Sequence, residues 1–228
     1  MGLKTPLEKM PCKLVSWREI DNMCKKLASQ VEQAGYMADT MIAIARSGFV
    51  PGRVLSDLLG ISDLVSLKVE HWLDKTGKHK NEATIPYRIP YNIKGKRVLV
   101  VDDIVDTGKS MRIACDYLSS FGPTVLKTSV MQFISSSIAI PDFFAVKVPT
   151  WTWFIYPWNL VEDLSNLVGR VLRSNGTGFR LVEIVGALSQ YYGIKIERTI
   201  VGEIVRRLEK TGSVRRYHGL WQPALDFR

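Results

Sequence analysis

The sequence predicts an α/β fold: a mainly parallel, doubly wound sheet followed by a mostly helical C-terminal extension. Three observations carry this. Short continuous apolar runs, Met41–Ala45 (MIAIA) and Arg97–Val101 (RVLVV), have the composition of strands buried on both faces. Helical stretches alternate with such strands, as crossover connections between parallel strands require. After Tyr156–Trp158 (YPW) the pattern changes to three successive amphipathic segments.

The elements follow in order. Ser16–Gln30 opens with serine in N-cap position and Glu19 at capping-box spacing, and Trp17, Ile20, Met23, Cys24 and Leu27 recur at helical intervals. Strand Met41–Ala45 ends at RSGFVPG, and a short helix runs to Gly60. Leu64–Trp72 reads as another strand. Lys75–Pro90 is polar and basic, with Gly77, Pro86 and Pro90, and is expected to be a long loop. Strand 97–101 leads to a helix over Met111–Gly122 closed by glycine. VLKTSVMQF and FFAVKV supply two more strands. The division expected is residues 1–163 as one domain and 164–228 as a helical, basic module.

Composition narrows the setting. Of 228 residues 46% are hydrophobic and 23% charged, as in ordinary globular chains. There is no apolar run near the ~18 residues of a membrane span and no signal-peptide core at the N-terminus. Cys12, Cys24 and Cys115 lack metal-ligand spacing and read as reduced thiols, so a cytoplasmic location is expected. The three histidines, His71, His79 and His218, are scattered. Net charge is +9, and residues after Asp163 hold eleven Lys/Arg against five Asp/Glu. Such an excess suits anionic partners, small phosphorylated ligands or nucleic acid.

The chemistry concentrates in VLVVDDIVDTGKSM, from Val98. A buried strand delivers two adjacent acids, Asp102 and Asp103, and then the turn Asp106–Thr107–Gly108–Lys109–Ser110, which opens a helix. Gly108 lets backbone approach an anion. The amides of the turn and of the helix N-terminus converge as a phosphate cradle, with Thr107 and Ser110 adding hydroxyls. The acid pair suits sugar hydroxyls or Mg²⁺. The GxxxxGK[ST] spacing of a P-loop is absent.

This stretch resembles the phosphoribosyl-diphosphate (PRPP) signature of the type I phosphoribosyltransferases. Arg46–Ser47–Gly48 resembles the family's diphosphate loop, and Trp153–Trp158 (WFIYPW) resembles the base-binding segment of its xanthine-guanine branch; the likeness covers roughly residues 12–163. The resemblance implies transfer of 5-phosphoribose from PRPP to a purine base, giving a nucleoside monophosphate and diphosphate. It implies Asp102 and Asp103 on the ribose hydroxyls and Mg²⁺, and Asp106 near N7 of the base as the catalytic group. It implies Asp106 through Ser110 around the 5′-phosphate. Arg46, Ser47, Gly48 and Lys68 would meet the diphosphate, often through a cis peptide. Gln132, Phe133, Trp153, Phe154 and Tyr156 would surround the base, with Trp153 as stacking platform. It implies a homodimer, and loop 75–90 as a closing hood.

Two departures matter. The 6-oxopurine branch carries a lysine for O6 near Gln132, Phe133 or Ile134, and no lysine lies between Lys127 and Lys147. An ammonium only donates, so its absence points to adenine, as in some archaeal enzymes of similar sequence, with guanine, hypoxanthine and xanthine as the alternative. Asn159 stands where the branch has an acid near a second Mg²⁺, with Glu162 and Asp163 a turn later. In the tail, two helical segments and SVRRYHGLW resemble a winged helix. That leaves a rival reading, a PRPP-sensing, DNA-binding purine regulator, beside the simpler one in which Arg206, Arg207, Arg215 and Arg216 are a solvated face paired with Glu203 and Glu209.

Overall fold

The computed structural model describes residues 6–73, 79–175 and 177–224. The chain divides into two compact units, residues 17–151 and residues 1–16 with 152–228.

Unit 17–151 is the sheet. It begins with β1's successor in sequence, helix α1 (Trp17–Gln33); strand β1 (Cys12–Leu14) belongs to the other unit. Helix α1 buries Ile20, Met23, Cys24, Leu27, Ala28 and Val31 along one stripe, while Trp17, at its first position, stays exposed. Then come β2 (Thr40–Ala45), α2 (Phe49–Leu58), β3 (Leu64–Lys68), β4 (Glu70–Leu73), β5 (His79–Thr84), β6 (Arg97–Val105), α3 (Lys109–Ser119), β7 (Val125–Ile134) and β8 (Phe143–Val148). Five strands form one parallel sheet in the order β3-β2-β6-β7-β8. The predicted doubly wound architecture is present.

Strand periodicity sorts the two faces. Ile42 and Ile44 of β2 and Val98 and Val100 of β6 join Met111, Ala114 and Leu118 of α3 in one apolar cluster. Ala43 points the other way, toward α2, where a Cβ on Gly52 would come within 3.1 Å of it. The chain leaves β2 in one direction to reach β3 and returns on the opposite side to lay β6, β7 and β8. The order therefore reverses between β2 and β6, and the carboxyl ends of those two strands flank the crevice where open α/β sheets bind ligands.

The expected loop 75–90 contains a strand. β5 pairs antiparallel with β4, Glu70 opposite Thr84 and His71 opposite Ala83. Backbone pairing rather than an apolar pattern defines it, so HKNEAT gave no strand signal; residues 74–78 lie outside the described residues.

The other unit joins the chain's beginning to its end. β1 pairs parallel with β9 (Trp153–Ile155), Cys12 opposite Trp153. Helices α4 (Leu160–Ser174), α5 (Leu181–Tyr192) and α6 (Arg198–Lys210) precede a hairpin of β10 (Val214–Tyr217) and β11 (Leu220–Pro223). One core holds it together, from Ile155 of β9 through Leu164, Leu167, Val168, Val171 and Leu172 of α4 to Ile184 and Leu188 of α5 and Val201, Val205 and Leu208 of α6. The division of the chain thus falls at 16/17 and 151/152 rather than at 163/164, and β9 and the start of α4 share a core with the helical tail. The thiols of Cys12, Cys24 and Cys115 are unbridged, and burial raises all three, to about 11, 12 and 11. No helix among the described residues is long and apolar enough to cross a membrane.

Candidate active site at the ends of β2 and β6

β2 ends in the Ala45–Arg46 peptide, which is cis, and the turn Arg46–Ser47–Gly48 leads into α2. The Gly48 amide donates to the Ile44 carbonyl at 2.9 Å. A Cβ on Gly48 would lie 2.6 Å from the carbonyl oxygens of both Ile44 and Val101, so only glycine lets this turn settle over the two central strands.

One strand over, β6 brings Asp102 and Asp103 to the same end. Both are buried, at 9% and 4% exposure, and each turns Oδ1 to the next backbone N–H, at 2.9 Å for Asp103 and 2.8 Å for Ile104. Burial pushes both carboxyls above their ordinary value, Asp102 further through the charge of Asp103. Part of that rise is offset for Asp103 by the Ile104 amide and by the Ser47 hydroxyl. That hydroxyl physically links the turn after β2 to the acid pair on β6. Two buried carboxylates set against each other near the end of a strand are costly to hold, and such arrangements mark functional sites.

After β6 comes the cradle. Gly108 adopts φ +83° and N-caps α3. Its carbonyl accepts the first helical bond, from Arg112 at 3.0 Å, so the preceding amides of the turn and helix start lack intrahelical acceptors. The loop after β7 closes over the turn: Ile138 N–H donates to the Thr107 carbonyl at 3.1 Å. The Thr107 hydroxyl accepts from the Lys109 amide at 3.4 Å. Asp106 is held from a direction the motif does not reveal. Trp151 donates its indole N–H to Asp106 Oδ2 at 3.2 Å. For the PRPP-dependent transfer that the resemblance implies, Trp151→Phe is expected to leave PRPP affinity nearly unchanged and lower kcat several-fold, by loosening Asp106; steady-state kinetics with calorimetric PRPP titration checks this.

Lys68 ends β3 directly opposite Ala45 in the sheet register, beside the cis peptide. Its ammonium pairs with Glu70, which raises its pKa, and lies 5.7 Å from the Tyr87 ring centroid. On β7, Gln132 is buried and sits between Ile104 of β6 and Val146 of β8. Phe133, expected near the base, places its ring in the core instead, 5.4 Å from the Phe144 ring centroid. The alternation of β7 sends it to the opposite face from Gln132.

So the sheet unit brings together Arg46, Ser47, Gly48, Lys68, Asp102, Asp103, Asp106, Thr107, Gly108, Lys109, Ser110 and Gln132. Trp153, Phe154 and Tyr156 belong to the other unit. There Trp153 is half-buried, hydrogen-bonds Asp163 and has the Arg170 guanidinium 5.6 Å from its ring centroid. Burial pushes Asp163 up to about 6. Tyr156 is buried and stacks on Trp158 at 4.8 Å with the rings nearly parallel.

The phosphoribosyl transferase domain model matches residues 14–163, about two thirds of the chain. The chain belongs to the phosphoribosyltransferase family. As a phosphoribosyltransferase it is a pentosyl-transferring enzyme, and the ends of β2 and β6 are its candidate active site. A xanthine-guanine phosphoribosyltransferase of Nitratidesulfovibrio vulgaris (strain DP4) is 28% identical over 149 residues, 64% of this chain and 83% of the relative. One of Idiomarina loihiensis is likewise 28% identical over 149 residues, 64% and 86%. Among solved structures, a purine phosphoribosyltransferase from Pyrococcus horikoshii superposes with a TM-score of 0.57 at 26% identity, covering 65% of this chain and 94% of that one. The family match ends within α4 and includes neither α5, α6 nor the hairpin.

Proposed function

We propose that the enzyme transfers 5-phosphoribose from PRPP to a 6-oxopurine base, giving the nucleoside monophosphate and diphosphate. The observation that carries the transfer itself is the meeting of three parts at one sheet edge. These are an anion-accepting turn after β2, a buried acid pair on β6 and a glycine cradle at the start of α3. Diphosphate, ribose hydroxyls and 5′-phosphate are spaced along PRPP in that order. For the base class, the support is the name carried by the relatives above, xanthine-guanine phosphoribosyltransferase. They favour 6-oxopurines over the adenine expected from the missing lysine.

The roles follow from the groups. The amides and hydroxyls of Thr107–Ser110 hold the 5′-phosphate, and Arg46–Gly48 with Lys68 hold the diphosphate. Asp102 and Asp103 orient the ribose hydroxyls. Among the described residues no three metal-ligating side chains cluster, so a Mg²⁺ arriving with PRPP would take these two carboxylates plus substrate oxygens, which suits that ion. When bound it supplies charge stabilisation to the leaving diphosphate. Asp106, steadied by Trp151, receives or returns the proton at the purine edge. A ring nitrogen of the base then meets the ribose C1 at fixed distance, and positioning provides much of the rate. The hairpin of β4 and β5 serves as the hood, and a homodimer in the cytoplasm is the expected form.

Gln132 favours adenine as a second reading. It is buried on β7, no lysine lies from 128 to 146, and its side-chain carbonyl can accept from an exocyclic amine where an ammonium cannot. The deciding assay gives the protein PRPP, Mg²⁺ and each purine in turn and follows diphosphate release. Turnover of guanine, hypoxanthine or xanthine at least ~10-fold above adenine is expected, about the net worth of one hydrogen bond. The reverse order would establish the adenine reading, and no turnover with any purine would sink both.

A further inference from the structure

The C-terminal unit contains an arrangement that phosphoribosyl transfer does not use. α4 is followed by Phe179, which exchanges two backbone hydrogen bonds with Trp221, N–H to carbonyl at 2.9 and 2.8 Å. α5, α6, β10 and β11 follow. The order is helix, strand residue, helix, helix and two-stranded hairpin, with Phe179 added antiparallel to the edge of β11. α5 ends at Gly193, with φ +69°, and residues 194–197 lead to α6, so the two helices form a helix-turn-helix. The hairpin turns over two residues, His218 at φ +47° and Gly219 at φ +77°, the pairing that a tight twisted hairpin demands.

Charge follows this frame. α6 turns Val201, Ile204, Val205 and Leu208 into the core and leaves Arg198, Arg206, Arg207 and Lys210 exposed. The hairpin adds Arg215 and Arg216, exposed, beside the 57%-exposed ring of Tyr217. From Lys195 to Arg216 there are seven Lys/Arg and three Glu. Glu203 and Glu209 stand at pairing distance in sequence, yet among the described residues no carboxylate lies within 4 Å of Arg206, Arg207, Lys210 or Arg215. The face is solvated, as the sequence allows, but among the described residues the pairing with Glu203 and Glu209 is not formed. Unpaired cations along one helix and one hairpin are complementary to a polyanion of regular spacing.

We propose that this unit binds duplex DNA, with α6 lying in the major groove and the β10–β11 hairpin against the adjoining phosphates. A bare α-helix fits the B-form major groove, whereas the A-form RNA groove is too narrow for it. This binding rests on residues 179–222 alone and is independent of which base the enzyme takes.

The test uses the full-length protein and a fluorescent DNA duplex of about two helical turns of arbitrary sequence, followed by anisotropy. Affinity is expected to fall at least ~100-fold between about 50 and 200 mM KCl, as release of several counterions requires. Two double variants, Arg206→Gln with Arg207→Gln and Arg215→Gln with Arg216→Gln, should each weaken binding at low salt ~10-fold or more and flatten the salt slope by about two. Diphosphate release should stay at wild-type values, since none of these residues is assigned to the transfer, and thermal unfolding should stay at wild type for the Arg206/Arg207 pair and fall by no more than a few degrees for the other, where Arg216 lies 5.5 Å from the Trp221 ring centroid. Lack of duplex binding at low salt overturns the proposal. So does undiminished binding by both variants, or equal binding of duplex RNA or single-stranded DNA.

Discussion

Gly108→Ala is expected to reduce kcat/KM by at least ~100-fold while the protein still folds, because the new methyl group has nowhere to go. A Cβ there would stand 2.5 Å from Ser137 Oγ and 2.7 Å from both Cβ and N of Ala139, and φ +83° is itself unfavourable for alanine. The left-handed conformation costs about 1–2 kcal/mol for a residue with a side chain. The Ser137–Ala139 loop is what the turn leans on, through the Ile138 to Thr107 hydrogen bond. Relief of the clash must therefore push either the loop or the cradle, and a displacement near 1 Å at a positioning site costs on the order of 100-fold. Calorimetric titration with PRPP should show the loss mainly as weaker binding. Gly95→Ala is the control: φ is +72° and open space surrounds it, so a modest loss of stability and full activity are expected. PRPP affinity within twofold of wild type in Gly108→Ala would mean that this turn does not hold the phosphate.

The turn proposed to hold phosphate was legible in the sequence because its parts are local. Strand, acid pair, glycine and helix start follow one another from Val98 to Ser110, and backbone geometry alone aims them together. The same locality made β2 and α2 readable around Gly48. Features formed by distant residues left no such trace. Trp151 reaches Asp106 across 45 residues, and Ser47 meets Asp103 only because β2 and β6 are neighbours in the sheet. β1 is three residues long and gains its identity from pairing with β9, which also carries the base segment into the same compact unit as the tail. Phe133 and Gln132 are adjacent, so choosing between them needed the face of β7 that meets the core. The hairpin after α6 lacks the Asn-Gly or Asp-Gly signal of a tight turn; His218 takes the left-handed position that asparagine or aspartate usually fills.

Asp102→Asn should raise stability at pH 8 and abolish function. In the folded protein burial, and then the neighbouring Asp103, hold the Asp102 carboxyl well above its ordinary 3.8, and Asp103 is raised too. The folded state therefore binds protons more tightly than the unfolded chain does. The stability this confers is complete below pH 3.8 and is lost as pH rises through the raised values, so ionising the pair in the folded protein carries the cost of burying charge. Asparagine keeps an acceptor for the Asp103 amide, bonded at 2.9 Å in wild type, and removes one charge. A gain of about 1–2 kcal/mol, or roughly 2–6 °C in Tm, is expected at pH 8 and should vanish below about pH 4. PRPP with Mg²⁺ should stabilise wild type by mass action and leave Asp102→Asn unmoved. Thermal melts across pH, with and without PRPP and Mg²⁺, read both effects. A lower Tm for Asp102→Asn at pH 8 would mean that the acid pair is structural, since a pair retained for ligand binding burdens the fold whenever the ligand is absent.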